Sequence, residues 1–369
     1  MRSWPLGFRI LVAALFASGC ASPPTAIAPS LRGLDTPGPQ VWAYHAHWMA
    51  DTWRKYDLRD FDRILFFDLI AGKDGRIAAT NGWPARWAEL RRAATEAGIA
   101  VDPVVSVLGT AAFNAIFSDP ARAARLADEI ASLTRDAGGV HLDVEVFDAV
   151  NPRAVEVFGT FLSRVRRALD EPPRKTLTAF VPAASPLYGE SELALLDAVV
   201  AQGYDAHWQD AKATGPVALL EGESPVAWKT AAASLVSRGV PPRRIVFSTP
   251  LYGYEWPTDS PTPGAATRGS GAIVTYAPLH QPHARDLPID ALSRVAKHGL
   301  RRDPASNAPW YAFQDGTGWK QGWFDDAVSL APRLDFVRAE RYLGVALWIL
   351  GYDDGAILDA VRAKLRAAK

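Results

Sequence analysis

The chain of 369 residues has one cysteine, Cys20, so no disulfide can form within it. It has no surplus of either charge, with 40 Lys and Arg against 40 Asp and Glu. General nucleic-acid binding is disfavoured, because neutralising a phosphate backbone takes a basic face. The amino-terminal apolar run, residues 10–17, is too short to span a bilayer. With 49% hydrophobic residues and a mean hydropathy of -0.04, the composition fits neither a disordered nor a multipass membrane chain. A Gly-rich phosphate fingerprint is also missing after the first strand-like run, which argues against a dinucleotide fold. What the chain has in excess is tryptophan, 13 residues whose flat rings either pack a core or offer platforms to the apolar faces of ligands.

The amino terminus reads as an export signal over residues 1–19. Arg2 and Arg9 precede the short apolar run, and small residues follow it. A lone cysteine in an exported protein needs a purpose other than a disulfide. Ala17-Ser18-Gly19-Cys20 resembles a bacterial lipobox, which implies that Cys20 becomes the lipidated first residue of the mature chain; cleavage as a plain secretory signal is the alternative. Residues 20–40, rich in Ala, Ser, Pro and Gly, read as a flexible tether. The expected location is the bacterial cell envelope. Ala21 after Cys20 favours the outer membrane where the organism has one.

Residues 41–369 alternate apolar runs with amphipathic segments, the pattern of βα units. Eight runs are visible, at 41–44, 64–68, 99–107, 140–145, 177–182, 198–205, 245–251 and 345–350. Between them Asp119-Pro120, Asn151-Pro152 and Ser224-Pro225 each place a capping side chain before a Pro at the first helical position. Ala154, Phe158, Phe161, Leu162, Val165 and Leu169 share one helical face, as an outer helix of a barrel requires. The expected fold is a (β/α)8 barrel. The gap between the seventh and eighth runs predicts an insertion over about 254–310, with a strand at 272–276 and a helix at 289–298.

In such a barrel the carboxyl ends of the strands line the site. The fourth run ends in His141-Leu142-Asp143-Val144-Glu145, and alternate residues of a strand share a face. Three ionisable groups in one row are costly to bury unless they are paired or used. A structural ion pair at a solvated strand end is the bland reading. On the other reading, a negative Asp143 and partial burial keep Glu145 protonated near neutral pH, as a general acid.

Gly138-Gly139-Val140-His141-Leu142-Asp143-Val144-Glu145 resembles the D-G-x-D-x-D-x-E motif of glycoside hydrolase family 18, the chitinases and related N-acetylglucosaminidases. Gly203-Tyr204-Asp205, Ser248-Thr249-Pro250-Leu251-Tyr252-Gly253, and Ala346-Leu347-Trp348 with Gly351-Tyr352-Asp353-Asp354 are similar to that family's sixth, seventh and eighth strand motifs. The resemblance implies cleavage of β-linked N-acetylglucosamine glycans in which the substrate's own acetamide is the nucleophile. Glu145 is then the acid and base, Asp143 orients the acetamide, and Tyr204 donates a hydrogen bond to it. Trp348 forms the floor under the sugar, with Tyr44, Asp205 and Tyr252 as further lining. A carbohydrate-binding protein without activity is the alternative, which the presence of both Asp143 and Glu145 disfavours.

Three departures stand out. Gly138 replaces the first motif acid, Gln202 a usual Met, and His141 the middle acid. A protonated His141 bonded to Asp143 is expected to hold Asp143 as an anion, to lower the pKa of Glu145, and to shift the optimum to acid or reduce turnover. No cofactor is implied, and no metal either: His45 with His47, and His280 with His283, lack a third ligand at a metal spacing. Trp208, Trp256, Trp310, Trp319 and Trp323 are candidates for stacking sugar rings along a cleft.

Overall fold

A computed structural model describes residues 33–279 and 287–366. The export signal, Cys20, the start of the tether, and His280 and His283 lie outside the described residues.

Strands β1 (Gln40–Ala46), β2 (Arg63–Ala71), β3 (Ile77–Ala79), β4 (Ala100–Leu108), β5 (Gly139–Glu145), β6 (Thr176–Val181), β7 (Ala198–Ala201) and β8 (Ile245–Pro250) are followed by an excursion of five more. These are β9 (Tyr252–Thr258), β10 (Ala272–Thr275), β11 (Arg301–Arg302), β12 (Pro309–Asp315) and β13 (Gly318–Trp323), before β14 (Gly344–Trp348) returns to the barrel. All eight apolar runs are barrel strands. They pair in parallel in the order β1-β14-β8-β7-β6-β5-β4-β2, and β2 pairs back onto β1 to close the (β/α)8 barrel. β3 is a short antiparallel addition on β2. Barrel strands are buried on both faces, which is why they read as nearly unbroken apolar runs.

Two of the three expected caps form. Asp119 accepts from the Ala121 N–H at the head of the helix Pro120–Leu133, and Asn151 from the Arg153 N–H at the head of Pro152–Asp170. The apolar face of the second helix is buried as its spacing demanded. Ser224-Pro225 instead makes a turn, closed by the Ala227 N–H on the Ser224 carbonyl at 3.0 Å. The helix starts only at Trp228, whose indole stacks on Phe247 at 4.6 Å and donates to the Gly203 carbonyl at 3.0 Å. That burial fixes where the helix begins. The sixth run is also shorter than its pattern: β7 stops at Ala201, and Tyr204 and Asp205 belong to the loop beyond, with Asp205 at φ 66°.

The excursion expected over 254–310 runs from Tyr252 to Trp323 and folds as one antiparallel sheet, order β10-β9-β13-β12-β11. Its later strands carry Gly, Lys and Gln among aromatics, so no clean alternation announced them. The expected strand and helix are β10 and Ala291–His298. At the amino-terminal face of the barrel, Arg63 pairs with the buried Asp102 and lies 5.3 Å from the Trp42 ring centroid, closing the floor. Residues 34–39 lie on this same face beside Pro241, Arg243, Arg338 and Tyr342, and the Gln40 N–H meets the Leu343 carbonyl at 2.6 Å.

Candidate active site

At the opposite face the carboxyl ends of the strands surround a cavity of about 270 Å³. Its lining includes Tyr44 from β1, Asp143 and Glu145 from β5, Tyr204 after β7, Tyr252 from β9 and Trp348 from β14. Six of the residues singled out from the sequence thus converge from five segments far apart in the chain. The other two sit behind the wall. Asp205 accepts from the Tyr252 hydroxyl at 2.6 Å and the Tyr254 hydroxyl at 3.1 Å, and so ties both rings in place. His141 is fully buried one step below Asp143.

The two-residue repeat of β5 grades the row from floor to mouth: His141 is 0% exposed, Asp143 5%, and Glu145 is half-buried. Glu145 is pushed up to about 7, first by burial and then by the charge of Asp205. The expected source of that charge was Asp143. Asp143 itself is raised well above the usual carboxylate range by burial, by Glu145 and by Asp68. Among the described residues neither carboxyl accepts a hydrogen bond from the protein, and Asp143 Oδ1 is buried without a partner. A row of desolvated acids with open valences is suited to moving protons.

His141 departs from its expected behaviour. Its Nε2 lies 2.9 Å from the Tyr44 hydroxyl and its Nδ1 2.9 Å from Thr178 Oγ1, so both ring nitrogens are engaged and neither meets Asp143. Burial, with Arg63 nearby, lowers its pKa to about 3. The ring is therefore neutral at working pH. It supplies no positive charge to Asp143, and the acid shift expected from a protonated His141 loses its cause.

Trp348 anchors the wall, edge-on to Tyr44 at 5.0 Å and to Phe67 at 4.9 Å. Tyr204 stacks on Phe180 at 6.1 Å and meets Tyr252 edge-on at 5.9 Å, and burial keeps its hydroxyl protonated as a donor. The tryptophans expected along a cleft are mostly structural. Trp310 and Trp323 stack on each other at 5.3 Å inside the inserted sheet, and Trp256 is fully buried with its N–H on the Gln209 carbonyl. Trp319 is half-buried on β13 and Trp208 is 52% exposed; neither lines the cavity. Trp48, Phe67, Phe180, Tyr254 and Ile273 do line it, and none of them was singled out from the sequence. Nor were Asp68 and Ser106 singled out, although a carboxylate closing an apolar run was a usable signal.

His45 is buried with Nε2 on the Ala50 carbonyl at 3.0 Å, and burial lowers its pKa to about 4. His47 stands 3.5 Å from Asp68. Among the described residues no three His, Cys, Asp or Glu side chains gather as metal ligands.

The chain is 25% identical over 225 residues to the cortical fragment-lytic enzyme of Bacillus anthracis, 58% of this chain and 46% of that one, so it spans about half the length of the curated relatives it matches. Among solved structures it resembles catalytic domain 2 of the group II chitinase of Ostrinia furnacalis, with a TM-score of 0.74 and 18% identity over 90% of this chain and 97% of that chain. It also resembles a family 18 N-acetylglucosaminidase of Paenibacillus barengoltzii, with a TM-score of 0.72 and 21% identity over 89% of this chain and all of that one (100%). The profile of glycosyl hydrolases family 18 matches residues 40–353, the whole barrel with its inserted sheet, and the chain belongs to that family.

Proposed function

We propose that this chain hydrolyses β-linked N-acetylglucosamine glycans with retention, using the acetamide of the substrate as nucleophile. The observation that carries the reading is Glu145, an acid poised at about 7 in the mouth of an aromatic-walled cavity with the buried Asp143 directly beneath it. Family membership and relatives named as chitinase, N-acetylglucosaminidase and cortical fragment-lytic enzyme support it.

The sugar's apolar face rests on Trp348, and its acetamide points down toward Asp143 and Tyr204. Glu145 gives its proton to the glycosidic oxygen as that bond breaks. The acetamide carbonyl oxygen closes onto the anomeric carbon, making a positively charged oxazolinium ring. Asp143 faces the acetamide nitrogen and the Tyr204 hydroxyl donates to its oxygen, so both favour the closed form. Glu145, now an anion, takes a proton from a water whose oxygen attacks the anomeric carbon from the side the leaving group vacated. Two inversions give net retention, and Glu145 is protonated again.

Release of a fluorogenic aglycone from chitobiose and chitotriose glycosides by the full chain tests this. The expected result is turnover in the wild type, a loss on the order of 10³-fold in Glu145→Gln, and an alkaline limb near pH 7 where Glu145 loses its proton. A folded wild type that cleaves neither these nor other 2-acetamido glycans between pH 4 and 8, or a Glu145→Gln variant as active as wild type, refutes the reading.

A further inference from the structure

The neutral His141 leaves Asp143 without the acidic neighbour that the family motif supplies from the same strand. A second carboxylate is nonetheless present. Asp68, at the mouth end of β2, is 2% exposed. Among the described residues it has no Lys or Arg partner. From β4, Ser106 Oγ donates to its Oδ2 at 2.5 Å. From the loop after β3, Asn81 Nδ2 lies 3.3 Å from its Oδ1 and 2.8 Å from its carbonyl oxygen. From the segment after β1, His47 Nδ1 stands 3.5 Å from Oδ1. His45 on β1 is spent on the Ala50 carbonyl and the edge of Trp87.

The next element beyond Ser106 is β5, where Ser106 and Asp143 are direct register partners. Register partners in a parallel pair point to the same face, so the hydroxyl that holds Asp68 stands beside the Asp143 carboxyl. The Asp68 charge is felt there, since it is one of the causes that raise Asp143, with Glu145 the other acid in range. Burial and these two acids keep a proton on Asp143 where an ordinary aspartate has lost it.

We propose that Asp68 is the second carboxylate of this site, a positioning residue that shares one proton with Asp143 in place of the motif's middle acid, which here is His141. This deepens the proposed function and rests on it. As the acetamide oxygen closes onto the anomeric carbon, the O–H bond of Asp143 breaks and an O–H bond forms on Asp68. Asp143 is then an anion against the positive ring. The proton returns when water opens that ring, so the pair carries one negative charge throughout. His141, bonded to Tyr44 and Thr178, fills the vacated position as a neutral spacer.

The test uses the full chain with Asp68→Asn, which keeps the shape of the side chain, and with Asp68→Asn combined with His141→Asp. Asp68→Asn is expected to lower kcat on the chitobiose glycoside on the order of 10²-fold, with KM changed less than about twofold. The double variant, which restores an acid at the motif's middle position, is expected to recover at least about tenfold of that loss. A separate readout needs no turnover: in carboxyl-carbon NMR titrations, Asp143 loses its proton at lower pH in Asp68→Asn than in wild type. An Asp143 titration unchanged by Asp68→Asn, or wild-type kcat and pH profile in that variant, overturns the proposal. Absence of hydrolysis by wild type overturns the proposed function instead, and the NMR titration still decides whether the two carboxylates are a pair.

Discussion

Between pH 4.5, the ordinary value for a glutamate, and about pH 7, folded Glu145 keeps a proton that the unfolded chain has already released. A raised acid binds its proton more tightly in the native state, so the stability of the fold declines as pH rises through that window. Glu145→Gln removes the penalty. In urea titrations it is expected to be more stable than wild type by up to about 3 kcal/mol at pH 8, and no more stable at pH 4. Equal stabilisation at both pH values would assign the gain to packing. At this scale the sequence was informative where a strand's period of two sets residues in a row, as for His141, Asp143 and Glu145. It was silent on partners that other strands bring. No spacing relates Asp68 to Ser106 or Asp143, because the pairing of β2, β4 and β5 places them together; the bond of His141 to Thr178 comes from the pairing of β5 with β6, and its bond to Tyr44 reaches across the barrel to β1.

The inserted sheet is the element least visible in the sequence, and it builds part of the cavity wall through Tyr254 on β9 and Ile273 on β10. Its packing includes glycines with no room for a side chain, Gly253 and Gly322 among them. Gly322 on β13 is paired with Glu255 on β9, and a Cβ there would fall 2.0 Å from Tyr311 Cζ. The Tyr311 hydroxyl donates to Glu255 Oε2 at 2.7 Å, and Arg294 Nη2 donates to its Oε1 at 3.0 Å. Gly322→Ala is therefore expected to destabilise by about 1–3 kcal/mol and to shift β9. KM for the fluorogenic glycosides should rise more than kcat falls, because Tyr254 lines the cavity while β5 stays in place. An unchanged melting temperature together with unchanged KM would detach the inserted sheet from substrate binding. The eight barrel strands were legible because each is buried on two faces; β12 and β13 were not, since Gly, Lys and Gln break their apolar pattern.

For the molecule as a whole, Cys20 and the segment around it are read from the sequence motif alone. We propose that Cys20 carries the lipid that holds this chain in the bacterial cell envelope. Incorporation of labelled fatty acid into the full chain in a bacterial host, abolished in Cys20→Ser, is the expected result; equal labelling of both would remove the anchor from Cys20. The described chain begins at Gly33 and reaches the barrel along its amino-terminal face, beside Pro241, Arg338 and Tyr342, while the cavity opens at the other end. The described chain thus enters at the base, and residues 34–39 leave the path of a glycan into the mouth clear.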